Sequence, residues 1–238
     1  MMIDILAIGA HPDDIELSCS GTIIDEISRG RKVEIADLTK GELGTRGNAE
    51  VRFLEAQKAA EIMGVSSRVN LEFKDGFIKD DEEHIYQVVK LIREKRPRII
   101  LCNAVEDRHP DHGIAAELVK KACFYSGLIK FKTTKNEATQ KIWRPNALYN
   151  YIQFKYLRPD FLIDISDVFE HRMKSILAYG SQFYDPNSKE PDSMISSKIF
   201  LEFIDARAAE FGRIIGVKHA EGFNVQRIPA VKGLFDLK

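Results

Sequence analysis

The sequence has little of several features that mark particular classes of protein. Its 238 residues include only three cysteines, an odd number without C-x-x-C spacing, which fits a reducing compartment better than a disulfide framework. No stretch approaches the roughly 18 consecutive apolar residues that a membrane span requires. The first residues carry neither the basic flank nor the cleavage site of a signal peptide. We therefore expect a cytoplasmic protein that does not associate with a membrane.

The chain also lacks an excess of charge of either sign. Its 35 Lys and Arg residues against 36 Asp and Glu residues give a net charge of -1, so no overall field attracts nucleic acid. The lysines of segment 130–141, with Phe131 and Trp143 nearby, are weak evidence for a nucleic-acid site. The composition, 44% apolar and 30% charged, is that of a globular protein without internal repeats. We expect a single domain over residues 1–238, with an elaborated C-terminal third.

Short apolar runs alternate with segments of helical periodicity along the first half of the chain. Strands are predicted at 3–9, 33–36, 69–71 and 99–102, and helices at 13–29, 49–63, 83–95 and 111–125. This alternation predicts an α/β fold of the Rossmann-like type, a mostly parallel sheet with helices on both faces. After an irregular basic connection at 127–144, strands are predicted at 147–153 and 161–165, and helices at 166–179 and 195–215.

Two short motifs carry most of the candidate chemistry, and each directly follows a predicted strand. His11-Pro12-Asp13-Asp14 follows the first strand, and His109-Pro110-Asp111-His112 follows the fourth. Ligands of an open parallel sheet bind outside the carboxyl ends of the strands, so both motifs are candidate site segments. Each motif alone is also explained by helix capping, since Pro12 suits the first helical position, with both aspartates in the first turn.

The residue types in these motifs suit a divalent, zinc-like ion. Such an ion prefers imidazole and carboxylate groups, and a catalytic site uses three protein ligands with one open position. His11, Asp14 and His112 can supply these ligands. Asp13 then remains free to act as a base, and His109 remains free to face developing negative charge.

Together with further stretches, the two motifs resemble the LmbE-like (PIG-L) family of zinc-dependent N-acetylglucosaminyl deacetylases. The resemblance covers nearly the whole chain. The combination is most similar to the branch that deacetylates N-acetylglucosaminyl-malate in bacillithiol biosynthesis. The further stretches are Leu38-Thr39-Lys40-Gly41-Glu42, Arg52 with Glu55, Tyr149-Asn150-Tyr151, Ile163-Asp164-Ile165-Ser166, Tyr179 with Ser181-Gln182-Phe183, and Ala220-Glu221-Gly222-Phe223.

The resemblance implies a role for each residue of the two motifs. His11, Asp14 and His112 would bind one Zn²⁺ per chain, and Asp13 would be the general base. His109 would be the acid or the electrostatic partner, held and kept charged by Asp111. Amide hydrolysis needs an activated water, and zinc lowers the pKa of water from about 15.7 towards 7. The resemblance also implies a small N-acetylated sugar as substrate and a homo-oligomer, often a hexamer.

Four residues outside the motifs are candidate substrate contacts. Arg144 matches an arginine that the family places near the substrate, and Arg46 and Arg52 are further candidates. Guanidinium groups match the two carboxylates of malate bidentately, although each arginine is also explained as a solvated surface residue. His219 stands where relatives of this branch commonly have Tyr. It either donates a hydrogen bond to the oxyanion or is a packed histidine.

Two other functions stay open on the sequence alone. One is deacetylation of a different N-acetylated sugar, such as a chitooligosaccharide, a thiol conjugate or an antibiotic intermediate. The other is a non-catalytic module that binds a metal or a small molecule, because a fold does not guarantee activity. Asp13 and His109 favour catalysis, since storage of a metal does not need them.

Overall fold

Seven strands form one mixed sheet, as shown by a computed structural model that describes residues 2–236. The sheet order is β3-β2-β1-β4-β7-β9-β8, and β9 runs antiparallel to both of its neighbours while the other pairs described are parallel. A separate hairpin joins β5 and β6. The strands are β1 (Ile5–Gly9), β2 (Val33–Thr39), β3 (Arg68–Phe73), β4 (Ile99–Cys102), β5 (Thr134–Lys135), β6 (Ala138–Thr139), β7 (Ala147–Tyr151), β8 (Phe161–Asp164) and β9 (Ala220–Val225).

Helices cover the sheet on both faces. They are α1 (Asp14–Ser28), α2 (Ala49–Met63), α3 (Glu82–Lys95), α4 (Pro110–Tyr125), α5 (Phe169–Leu177) and α6 (Lys198–Ile215). Gly64 and Gly216 end α2 and α6 with left-handed φ angles of 77° and 75°, a conformation that glycine adopts without a Cβ clash. In the part of the chain that the structure describes, no helix is both long and apolar enough to span a membrane.

Alternate residues of each central strand supply the two halves of the core. Leu6 and Ile8 of β1 belong to the cluster that includes α3 and α4, whereas Ile5 and Ala7 belong to the cluster with α1. This division follows from the period of two along a strand. Because both faces are covered, β1 and β4 read in the sequence as continuous apolar runs.

The predicted α/β class and the mostly parallel sheet are confirmed, but one strand was missed. The segment that forms β9 contains Glu221, Gly222 and Asn224, residue types that are rare in strands. The Glu221 carboxylate is buried and accepts hydrogen bonds from the backbone N–H groups of Gly21 and Thr22, at 2.9 and 2.7 Å. Its burial therefore depends on a distant helix, which local sequence does not show.

The strand order places the two motifs beside each other. β1 pairs with β2 on one side and with β4 on the other, so the direction of winding reverses between β1 and β4. Such a reversal leaves a crevice at the carboxyl ends of the two strands. The segments that follow β1 and β4 are those that carry the two histidine motifs.

Candidate active site

A cleft of about 400 Å³ opens at the crevice between the ends of β1 and β4. One wall comes from the loops that follow β2 and β3, including Leu43 and Gly76, and another from Phe200 and Ile204 of α6. Five of the predicted catalytic and metal-binding residues line it: His11, Asp13, Asp14, His109 and His112.

Asp14, the first residue of α1, is held by hydrogen bonds to both carboxylate oxygens. Its Oδ2 accepts the backbone N–H of His11 and the side-chain amide of Asn103, each at 2.9 Å, and its Oδ1 accepts the amide of Gln153 at 2.9 Å. The side chain is 3% exposed. These donors hold the pKa of Asp14 well below its usual range, although burial opposes them, because the neighbouring His112 and His11 also favour the carboxylate.

Asp14 lies between the two histidines that were predicted as metal ligands. His112 Nε2 is 3.1 Å from Asp14 Oδ1, and His11 Nδ1 is 3.5 Å from Asp14 Oδ2. Ligand atoms bound to a tetrahedral zinc ion lie about 3.3 Å apart, so these spacings fit such an ion. Two imidazoles and a carboxylate are also the donor types that zinc prefers.

Each of the two histidines places its second ring nitrogen against a carboxylate. His112 Nδ1 lies 2.6 Å from Asp107 Oδ2, and His11 Nε2 lies 3.1 Å from Asp75 Oδ1 and 3.2 Å from Asp111 Oδ2. A carboxylate in this position orients a metal-binding imidazole and fixes which nitrogen carries the proton. The residues present therefore fit a divalent metal.

Two other groups of donor atoms overlap this site. Nitrogens of His11, His109 and His112 lie within 4.8 Å of one another, as do donor atoms of His11, Asp75 and Asp111. The Nδ1 atom of His109 is already engaged by the backbone at the start of α4. Asp75 and Asp111 face the Nε2 side of His11, away from its Nδ1 contact with Asp14. The set of His11, Asp14 and His112 therefore remains the best-supported one.

Asp13 lies at the start of α1 in a strained backbone conformation, with φ 112° and ψ −24°. This differs from the prediction, which placed Pro12 and Asp13 inside the first helical turn, because the helix begins one residue later. The Asp13 carboxylate is 5% exposed and accepts a hydrogen bond of 2.7 Å from Arg52. Burial raises the pKa of Asp13 to about 7, against the opposing charge of Arg52, which suits a base near neutral pH.

His109 caps the N-terminus of α4. Its Nδ1 accepts the backbone N–H of Asp111 at 3.2 Å, so Nδ1 carries no proton and the neutral ring carries its proton on Nε2. Burial and the neighbouring His11 and His112 lower the pKa of His109. The sequence analysis expected a charged His109, and the capping bond and the lowered pKa both oppose that expectation.

Asp111 does not hold His109 through its carboxylate, contrary to the predicted role. Its Oδ2 accepts the backbone N–H of Gly76 at 2.8 Å and faces His11 Nε2. Asp111 therefore orients a metal-ligand candidate, and only its backbone N–H contacts His109.

Of the three predicted substrate arginines, Arg52 alone lines the cleft within the described residues. Its guanidinium group bonds Asp13, the Gln182 side chain at 2.9 Å and the Gly41 carbonyl at 3.3 Å. These contacts make Arg52 a partner of the candidate base.

Arg46 and Arg144 do not reach the cleft. The buried Arg46 guanidinium donates to Pro191 O at 2.9 Å, Ser188 Oγ at 3.0 Å and Phe183 O at 3.2 Å, so it binds a segment of its own chain. Arg144 precedes β7 and packs over the Phe124 ring at the amino ends of the strands, the opposite edge of the sheet.

His219 is a packed histidine, the second of its two predicted roles. Its ring stacks on Phe169 with centroids 3.6 Å apart, and its Nε2 lies 3.0 Å from Asp205 Oδ1. It is 5% exposed and does not line the cleft. A hydrogen bond from His219 to an oxyanion is therefore excluded by its position.

Sequence reasoning missed several residues that support the site. Asp75 and Asp107 face the ligand histidines, while Asn103 and Gln153 hold Asp14. Asp75, Asn103, Asp107 and Gln153 each follow the carboxyl end of a central strand, as the two motifs do. That shared placement is the signal that would have found them.

Comparisons with known proteins agree with this site. A family model described as PIG-L, GlcNAc-PI de-N-acetylase, matches residues 6–123. The diacetylchitobiose deacetylase of Thermococcus kodakarensis is 29% identical, over 95% of this chain and 84% of that protein. A probable N-acetyl-alpha-D-glucosaminyl L-malate deacetylase 2 of Bacillus cereus is 27% identical over 75% of this chain and 83% of that protein. The crystal structure of the conserved protein TT1542 from Thermus thermophilus covers 98% of this chain and 99% of its own, with 32% identity and a TM-score of 0.87.

Proposed function

Because this chain belongs to the PIG-L family of de-N-acetylases, we propose that it hydrolyses the N-acetyl group of an N-acetylglucosaminide with the help of one zinc ion. The observation that carries the proposal is the convergence of a buried base, Asp13, with the His11, Asp14 and His112 set in one cleft. A store for metal would not need a base held in a strained conformation beside its ligands. We therefore favour catalysis over a non-catalytic binding module.

The metal is proposed to be held by His11 Nδ1, Asp14 and His112 Nε2. When bound, a zinc ion supplies Lewis acidity, which polarises the acetyl carbonyl and lowers the pKa of water. Asp75, Asp107 and Asp111 keep the two imidazoles oriented towards it.

Asp13 and His109 divide the proton chemistry. Asp13 accepts the proton of the attacking water, whose oxygen adds to the acetyl carbon. His109 donates its Nε2–H to the oxyanion that forms, which needs no charge on the ring. The C–N bond then breaks, acetate departs, and the proton on Asp13 passes to the sugar amine. Arg52 stabilises the Asp13 carboxylate before and after the transfer.

We propose N-acetylglucosaminyl-malate, the substrate of the bacillithiol branch, as the preferred substrate. The similarity to the Bacillus cereus malate deacetylase supports this choice. The 29% identity to a diacetylchitobiose deacetylase favours a second candidate, a chitooligosaccharide. The two candidates differ in the group attached to the sugar, which is dianionic in one and neutral in the other.

The experiment that tests this function measures release of acetate from N-acetylglucosaminyl-malate, N-acetylglucosamine and di-N-acetylchitobiose. It compares zinc-loaded protein, protein treated with a chelator, and the Asp13→Asn variant. A rate that depends on metal and on Asp13 and is highest with the malate conjugate supports the full proposal. A preference for chitobiose replaces the substrate but keeps the chemistry, and no release from any compound returns the binding module as the better function.

A further inference from the structure

One face of α6 forms a wall of the cleft and is apolar except at one position. Phe200, Ile204 and Arg207 follow one another at helical spacing and all three line the cleft. Phe200 and Ile204 are buried, as expected of a helix that packs on the domain. Arg207 places a guanidinium group in a row that otherwise excludes charge.

Arg207 has few partners for an arginine in this position. Its guanidinium group donates one hydrogen bond, of 3.1 Å, to the Phe154 carbonyl and packs over the Phe203 ring at 4.5 Å. Among residues 2–236 no carboxylate forms an ion pair with it. Partial burial lowers the pKa of Arg207 to about 10, so the group stays charged at neutral pH. A charge removed from water without a counter-ion is costly, which makes an anionic ligand a reason for its presence.

The nearest acidic group is already engaged. Asp107 influences Arg207 electrostatically, but its Oδ2 faces His112 Nδ1 and its Oδ1 accepts the backbone N–H of Lys155 at 2.6 Å. The other cations differ in kind. Arg52 is paired with Asp13, and Arg108, which also lines the cleft, is exposed and stacks over Phe154, so solvent screens its charge.

We propose that Arg207 is a specificity-determining residue that binds an anionic group, a carboxylate or a phosphate, on the aglycone of the substrate. The inference rests on the proposed deacetylase function and names the class of sugar that the cleft selects. Arg207 lies on the α6 wall, whereas Asp13 and the ligand histidines come from the ends of β1 and β4. A substrate with its acetyl group at those residues therefore presents its aglycone to α6.

The test compares Arg207→Gln and Arg207→Lys with Arg213→Gln. Arg213 lies on the same helix, exposed and paired with Glu210 at 2.9 Å, and is the matched control. Substrates are N-acetylglucosaminyl-malate, N-acetylglucosamine 1-phosphate and the neutral methyl N-acetylglucosaminide. We expect Arg207→Gln to raise KM for the preferred anionic substrate by about ten- to hundredfold, with kcat changed less than about threefold. Turnover of the neutral glycoside should stay within about twofold of the wild type.

The remaining comparisons define the anion and exclude a structural role. Arg207→Lys keeps the charge but not the planar fork, so it should restore part of the affinity. The anionic compound that loses more upon Arg207→Gln identifies carboxylate or phosphate as the group bound. Equal losses on neutral and anionic substrates, or a fall in Tm that accounts for them, would overturn the assignment.

A second readout keeps the inference separate from the proposed reaction. Calorimetric titration measures binding of glucosaminyl-malate and of glucosamine 1-phosphate, both already deacetylated, to wild type and Arg207→Gln. If the wild type binds one of them tenfold more tightly than the variant does, the anion site stands even if no compound is hydrolysed. If neither binds, or if both proteins bind alike, Arg207 has no role in selecting an anion.

Discussion

Asp13 is held in a conformation that few residues other than glycine adopt. A non-glycine residue in such a region costs about 1–3 kcal/mol, and Asp and Asn tolerate it better than other types. The Asp13 carbonyl accepts the N–H of Leu17 at 2.9 Å, while its carboxylate bonds Arg52. The strain therefore turns the carboxylate towards Arg52 and the cleft while α1 continues undisturbed behind it.

Substitution of Asp13 separates the role of a base from that of a metal ligand. Asp13→Asn should lower kcat by about 10² to 10⁴, the usual contribution of a general base, because the amide cannot accept a proton from water. Asn keeps the left-handed backbone, so Tm should change little. Metal content, measured by mass spectrometry, should remain near that of the wild type. Loss of the metal would instead show that Asp13 is a ligand.

His109 allows its helix-capping role to be separated from its chemical one. His109→Asn keeps a side-chain acceptor for the cap but lacks the Nε2–H, so kcat should fall by about 10² to 10⁴ at unchanged Tm. His109→Ala also removes the cap and should lose about 1 kcal/mol of stability in addition. Activity assays with thermal unfolding of both variants make the comparison. Wild-type kcat in His109→Asn would exclude the oxyanion role.

The residues of the two motifs were predictable because each motif follows a buried strand of the same sheet. The substrate arginines were not, because nothing in a single arginine's neighbourhood shows whether it meets solvent, a ligand or its own chain. Arg46 reaches a segment 137 residues further on, at Phe183, and Arg207 became a candidate only once α6 was seen to form a cleft wall.

At the scale of elements, apolar runs and helical periodicity predicted the parallel core but not the segment between α5 and α6. This segment contributes Ser193, Met194 and Ile195 to the cleft. Its preceding part is held by the four hydrogen bonds that Arg46 donates to Phe183, Ser188, Glu190 and Pro191. A cleft wall is thus fixed by one buried side chain, a tertiary contact that no local pattern encodes.

Arg46→Ala should loosen this wall. Because buried carbonyls lose a charged donor, we expect a loss of about 2 kcal/mol, concentrated in residues 183–195. Hydrogen exchange in that segment should accelerate and KM should rise severalfold, while metal content stays constant. Arg29→Ala, which removes an exposed arginine paired with Asp25, is the control and should change neither. Unchanged exchange in Arg46→Ala would show that the wall is held by other contacts.

At the scale of the whole molecule, the candidate metal ligands join separate parts of the sheet. His11 and Asp14 follow β1, His112 follows β4, and Asp75, which faces His11, follows β3. A cation bound among them links the carboxyl ends of these strands. Binding to the folded state alone should therefore stabilise the entire domain.

Removal of the metal should lower Tm. A metal present at a hundredfold excess over its Kd stabilises a protein by about 2.7 kcal/mol, and for a chain of this size each kcal/mol shifts Tm by about 2–4 °C. We expect chelation to lower Tm by about 5–10 °C in calorimetry, and zinc to restore it. His112→Ala should show the lower Tm with or without zinc. Full stabilisation of this variant by zinc would exclude His112 as a ligand.

The difference in Tm should also depend on pH, in a direction set by the ligand histidines. Although burial lowers it, the carboxylates of Asp14 and Asp107 raise the pKa of His112 to about 9 in the metal-free fold, above the value of about 6.5 in an unfolded chain. Protonation therefore stabilises the metal-free protein fully below about pH 6.5, and this contribution is lost as the pH rises through 9. The metal competes for the same nitrogen, so its binding releases protons and strengthens over that interval. The gap in Tm between zinc-loaded and chelated protein should widen from about pH 6.5 to about 9, whereas a constant gap would mean that histidine does not hold the metal.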